Sequence, residues 1–312
     1  MTVAVGLLVY SVVMMVAAPP LLGALTRGGS APRFGVAAWL TAIVSVVATW
    51  IAIPALVVLD LVFHDGQRGS VLESCVQVLC DIAAGRKGTA LQVAVAAAAV
   101  ALVVVLVGVG LKVVFTIRRL HAHARDHAQA VRLVGRPTGQ PHVFLVEAGE
   151  RTAYCVAGRP PAIVVTRGAV TALNDDELHA VLAHERAHLA GRHLTIVTAL
   201  RGVAMVFPRL RLMTRAVADV TRLLEMCADD AASRRYGHHT LLAGLMALAG
   251  ATPMPALGAA DVALMNRAER LALPPAPRTR IRARAGLCGA MTLIAVAPVA
   301  TFVLATSSPF CS

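Results

Sequence analysis

The sequence predicts a mainly α membrane protein in which four transmembrane helices carry an α+β domain inserted between the third and the fourth. Three observations predict it. Four apolar runs are long enough to cross a bilayer, basic residues gather on one set of connections, and the polar segment 118–285 changes from short β-type strips to helical patterning. Hydrophobic residues make up 57% of the 312, and mean hydropathy is +0.71. That is more apolar character than a soluble interior of this size takes up.

The runs cover 3–25, 36–59, 91–117 and 286–306. A hydrocarbon core of roughly 30 Å needs about 20 helical residues, and all four reach that length. The first is uncharged and contains Pro19 and Pro20, the second is uncharged around Pro54, and the third is broken only by Lys112. Lys112 lies near the end of its run, where a long side chain reaches the interface. The first run lacks a basic start and a small-x-small cleavage site, so it is read as a retained span rather than a leader. The fourth, with Gly286, Gly289 and Pro298, is the least regular; its other reading is a buried helix.

Orientation follows from short basic connections. Arg27 and Arg33 stand between the first two runs with no acid, and Arg118, Arg119, Arg125, Arg132 and Arg136 follow the third against Asp126 alone. The stretch 64–90 balances Arg68, Arg86 and Lys87 against Asp65, Glu73 and Asp81. The expected organisation is therefore 1–117 as three transmembrane helices with an extracytoplasmic loop at 64–90, 118–285 as a cytoplasmic domain, and 286–312 as the fourth helix with a short outer tail. Both termini are expected outside the plasma (inner) membrane. Cys75 and Cys80 then fall on the oxidising side, where a disulfide persists, and Cys155 and Cys227 on the reducing side. Cys288 lies in the fourth run, and Cys311 at the terminus has no evident partner.

Segment 118–285 carries 23 basic against 13 acidic residues. No helix-turn-helix, zinc-finger or stacking-aromatic pattern accompanies that charge, so direct nucleic-acid binding is not expected. Attraction to anionic membrane lipids is the simpler account. Within it, 118–140 reads as a charged helix ending near Gly135 and Pro137. Strips at 142–146, 153–156 and 162–166, rich in Val, Ile, Phe and Tyr between Gly and Pro, read as a small antiparallel sheet whose edge suits an extended peptide. Asn174 followed by Glu177 resembles a capping box opening a helix that stops near Gly191. An apolar stretch 194–207 ends at Pro208 and is either core or a helix on the membrane face. A further helix runs from about Arg215 to Arg235 and closes at Gly237, and a Pro-rich linker holds Pro274, Pro275 and Pro277.

The chemistry concentrates in His184-Glu185-Arg186-Ala187-His188. Imidazoles four apart share one helix face and suit one Zn²⁺, while the adjacent Glu185 reaches a water rather than the ion. A third ligand is needed, and Glu225 is the strongest candidate, since a carboxylate amid Leu223, Leu224, Met226 and Cys227 is costly unpaired. Asp229, four residues on, is placed to orient a ligating imidazole through its free nitrogen. The competing account pairs Glu225 with Arg222 or Arg186 on a solvated face. His193 is a rival third ligand but follows Gly191, beyond the expected helix end, and is left out. Asp230 is read as a surface charge, and His121, His123 and His127 as one face of a solvated helix.

These residues carry a resemblance. The run from Ala162 through Gly168, then Leu173, Asp176-Glu177-Leu178, Ala180 to His188, and Glu225 to Asp229 with Ala231-Ala232, is similar to the BlaR/MecR-type membrane metallopeptidases. The HtpX/Ste-type membrane proteases share much of the same motif set. The resemblance implies a cytoplasmic gluzincin-type metalloprotease domain with one zinc per chain, acting on a cytoplasmic protein such as a BlaI-type repressor, as an antirepressor in signal transduction. That family's outer penicillin-binding domain would follow the last helix. The sequence given stops at Ser312, so a sensor role is expected of the 64–90 loop, the membrane helices or a partner. Glu185 is expected to be the general base for peptide hydrolysis, and Arg280 is a loose match to a basic residue near the site. The alternatives are an HtpX-like quality-control protease and a non-proteolytic, zinc-containing signal transducer.

Overall fold

The computed structural model describes residues 2–63, 90–158, 160–250 and 259–307. The expected outer loop with Cys75 and Cys80, and Cys311, lie outside them. Four of the described helices are long and apolar enough to cross a membrane. They are α1 (Thr2–Thr26), α2 (Pro32–Phe63), α3 (Ala90–Val134) and α10 (Pro277–Ser307). α3 continues without a break from its apolar half into the charged half expected as a separate helix at 118–140. No glycine or proline interrupts 111–134, so nothing stops the helix until Gly135.

The described chain divides into two units. The first gathers 1–18, 40–113 and 289–312. Here α1, α2 and α10 meet through one polar cluster, in which Tyr10 Oη lies 2.7 Å from Ser45 Oγ and donates to the Ile294 carbonyl at 2.8 Å. The apolar window of α3 from Val100 onward buries essentially nothing, whereas about a third of the α1 and α2 windows is covered.

The second unit holds 19–39 and 114–288. Its sheet contains β1 (Arg136–Pro137), β2 (Val143–Val146), β3 (Ala153–Val156) and β4 (Ala162–Thr166) in the order β1-β2-β4-β3. The expectation of an antiparallel sheet is corrected: β2 and β4 run parallel, while β1–β2 and β3–β4 are antiparallel. The physical reason is in β4. Its sequence AIVVT has no polar alternation, and every residue is buried, so it must be covered on both faces and flanked on both sides. Moving β4 to the middle makes β3 an edge.

Helices then cover the sheet. Thr166 caps the short α4 (Arg167–Ala172), its hydroxyl accepting from Ala169 N at 3.2 Å. Asn174 caps α5 (Asp175–Ala190) with the reciprocal Glu177 box, which satisfies two otherwise orphaned amides. Leu182 of α5 joins Val143, Ile163, Val165 and Ala169 in a core against the sheet. Ala180 on another face meets Ala232, Leu241 and Leu271. These come from α7 (Arg211–Tyr236), α8 (His238–Ala249) and α9 (Ala259–Ala272). Between α5 and α7 runs α6 (His193–Val206), the apolar stretch left open between core and membrane face. α5 is thus clamped between sheet and helices, which fixes its His-bearing face.

Candidate metal centre

His184 and His188 sit one turn apart on α5, 3% and 8% exposed, and both Nε2 atoms point at Glu225 from α7. The two Nε2 atoms are 3.0 Å apart, and Glu225 lies 3.4 Å from His184 and 3.5 Å from His188. Two donors bound tetrahedrally at zinc distances stand about 3.3 Å apart, so the three fit that ion. Among the described residues this is the group of His, Cys, Asp and Glu able to hold a metal.

The far sides of both imidazoles are also occupied. His184 Nδ1 lies 3.0 Å from Asp229 Oδ1, although too bent for a well-aligned hydrogen bond. In the neutral ring the approach favours a proton on Nδ1, which leaves the Nε2 lone pair for an ion. Burial works against charge on His184, but Asp229 and Glu225 outweigh it and raise its pKa to about 9. Burial likewise opposes charge on Glu225 and Asp229. The imidazoles and Arg267 overcome it and hold both carboxyls below their ordinary range.

Sequence reasoning missed two residues here. His193, set aside as lying past the helix end, is buried with Nδ1 3.0 Å from His188 Nδ1. After Gly191 closes α5, Arg192 takes a left-handed conformation at φ 51°, and the chain doubles back to start α6 under the last turn of α5. Gly191 is needed there, because a Cβ would run into the His193 ring. Burial, then the charge of His188, lowers the pKa of His193 to about 4, so it stays neutral beside the His188 ring. The signal was present as a two-residue break between two helical runs, which forces adjacent helices into contact.

The second is Arg267 of α9. It grips Asp229 in a fork, Nε to Oδ2 at 2.9 Å and Nη2 to Oδ1 at 2.7 Å, and reaches Glu225 Oε2 from Nη1 at 3.2 Å. This replaces the pairing of Glu225 with Arg222 or Arg186. Arg222 binds Asp219 and the carbonyls of residues 26 and 27, and Arg186 donates to Gln140. Two carboxylates one turn apart in an apolar setting demanded a cation, but no spacing rule names a residue about forty positions away. Arg280 instead lines a separate pocket with Asp230, Ser233 and Arg284. Asp230 is no free surface charge, since Arg270 binds it at 2.7 Å. His127 stacks on Tyr154 rather than forming a metal cluster with His121 and His123.

Glu185 lies near the Cys155 thiol of edge strand β3. Burial pushes the Glu185 carboxyl upward, partly offset by the two imidazoles and the thiol. A carboxylate so raised accepts protons more readily near neutral pH. Burial, then Glu185, pushes the Cys155 thiol up as well, so it remains protonated.

Comparison with known proteins follows the same residues. Positions 116–251 match the model of peptidase family M48. A protease HtpX homolog of Desulfotalea psychrophila is 32% identical over 71 residues, covering 22% of this chain and 25% of its own length. One of Thermococcus kodakarensis is 33% identical over 102 residues, 32% of this chain and 33% of its own. One of Aquifex aeolicus is 37% identical over 68 residues, 21% and 22%. The chain therefore covers 22 to 33% of the length of these relatives. No solved structure matches it. These likenesses favour the HtpX-type alternative and lend the BlaR/MecR type no specific support. Residues 116–251, which hold all three candidate ligands, are similar to peptidase family M48.

Proposed function

We infer that the chain is a membrane-bound zinc-dependent endopeptidase of HtpX-like kind. The observation that carries it is the convergence of His184, His188 and Glu225 beside Glu185, on a helix packed along a free sheet edge. Zn²⁺ held by those three would supply a Lewis acid that polarises a carbonyl and acidifies water. The chain's own groups do the rest. β3, whose outer side pairs with no strand among the described residues, receives an extended peptide by strand addition. Glu185 takes a proton from the attacking water and returns it to the leaving amine. Asp229 and His193 hold the two imidazoles by their far nitrogens. Arg267 keeps Glu225 and Asp229 ionised and in place.

The same likeness supports one substrate class over the other. A quality-control role on misfolded membrane proteins is favoured over cleavage of a BlaI-type repressor, because the relatives are of the HtpX type. The charge pattern supports a cytoplasmic catalytic segment with both termini outside. Membrane lipids are natural partners. Arg33 at the start of α2, Arg234 near the end of α7, and Arg280 and Arg284 in the first turns of α10 line one pocket, with Asp230 as the single acid among the described residues, which suits anionic headgroups. The test is a membrane-embedded Glu185→Gln trap with cross-linking and identification of what it holds. Misfolded membrane proteins support the reading, a BlaI-type protein moves it to antirepressor action, and undiminished cleavage by the variant refutes the role of Glu185.

A further inference from the structure

We propose that the cleft beside His188 selects an acidic side chain next to the bond to be cut, so that preferred substrates present Asp or Glu there. The proposal rests on the endopeptidase reading and names its substrate class.

The cleft encloses about 430 Å³ and has the metal-side residue His188 in its wall. Arg125, Arg192 and His121 complete its polar lining together with Thr195, and no carboxylate among the described residues lines it. His121 and Arg125 lie four apart, on one face of the charged half of α3. Arg192 comes from the turn between α5 and α6. Two elements about seventy residues apart thus bring two guanidinium groups to a hollow that begins at the metal centre. The volume admits a carboxylate side chain with its hydration, and a guanidinium meets a carboxylate with two parallel hydrogen bonds.

The backbone adds a second argument. Arg192 adopts the left-handed conformation without being glycine, an arrangement that costs energy and persists where surrounding structure enforces it. The same turn seats His193 under His188. The backbone at Arg192 is therefore tied to the geometry of the metal ligands. A lysine or arginine of a substrate entering this cleft would face two like charges. An apolar residue would leave the guanidinium groups unpaired behind it.

The experiment uses full-length, zinc-loaded protein in nanodiscs with a proteome-derived peptide mixture, reading cleavage sites by mass spectrometry against a Glu185→Gln background. The expected result is enrichment of Asp and Glu at one position flanking the scissile bond. A synthetic pair differing only as Glu or Lys there should differ about tenfold in kcat/KM, mostly through KM, and less at high salt. The Arg125→Glu, Arg192→Glu double variant should reverse the preference; metal content and circular dichroism confirm that it is folded. Wild-type cleavage without acidic enrichment overturns the proposal and leaves the endopeptidase reading standing. So does an unchanged preference in a folded double variant. No cleavage above the Glu185→Gln background removes the endopeptidase reading and this proposal with it.

Discussion

The two units handle buried polarity in opposite ways. Around the metal centre, Asp229 is 1% exposed and forked by Arg267, His184 is wedged between two carboxylates, and His188 between Glu225 and His193. In the unit of spans, the polar contact joining α1, α2 and α10 is neutral, a tyrosine hydroxyl shared with Ser45 and the Ile294 carbonyl. Charge is tolerated inside only where opposite charge or a cation meets it. The metal unit accordingly depends on ionic partnering, and the span unit on packing tuned by neutral hydrogen bonds among Tyr10, Ser45 and the Ile294 carbonyl.

The contrast breaks most sharply at Glu185. Glu185→Gln keeps both ligating imidazoles and Glu225, so zinc measured on the purified variant should match wild type. Peptide hydrolysis should fall by about 10²–10⁴-fold, the usual share of a general base. Next comes Arg267→Ala, which leaves buried Asp229 and half-buried Glu225 without their cation. Denaturant unfolding of the metal-free protein should show a loss of about 3–5 kcal/mol. A small loss would mean that the two carboxylates find another partner.

Asp229→Asn should weaken zinc binding by about 10–100-fold in a chelator competition, because His184 loses the anion that orients it. The same competition should depend on pH. His184 holds its proton up to about 9 in the metal-free site, so zinc must displace that proton. Affinity should weaken as pH falls below that value, by about tenfold per unit for one proton. A flat profile would remove the assignment of His184. The smallest effect belongs to the span unit. Tyr10→Phe should cost about 0.6 kcal/mol in a membrane-embedded unfolding measurement, the average for an interhelical hydrogen bond in lipid, and should leave zinc affinity unchanged.

Much of the molecule was readable before its folding was known, and the failures have physical causes. The Asn174–Glu177 box and the closures at Gly191 and Gly237 are local, set by side-chain and backbone groups within a few residues. The strand positions were equally local, but their pairing was not. Whether 143–146 meets 153–156 or 162–166 depends on which strand needs covering on two faces, a competition among segments. His193 was lost because a helix end was taken as a distance, whereas the left-handed Arg192 turns it into a contact. Arg186 and Arg222 were plausible cations for Glu225 by nearness in sequence, but the fold spends them elsewhere.

By itself the sequence determined the four apolar runs, the charge gathered on 118–285, and the pairing of two histidines and a glutamate on one helix. These rest on composition and on periodicities of a few residues, which no tertiary arrangement alters. Only the tertiary structure decided which cation answers Glu225 and Asp229, what lies behind His188, and that β3 rather than β4 is the strand left at the edge. Each of those is a contact between distant segments. It is selected by the requirement that every buried charge and every strand face find a partner at once.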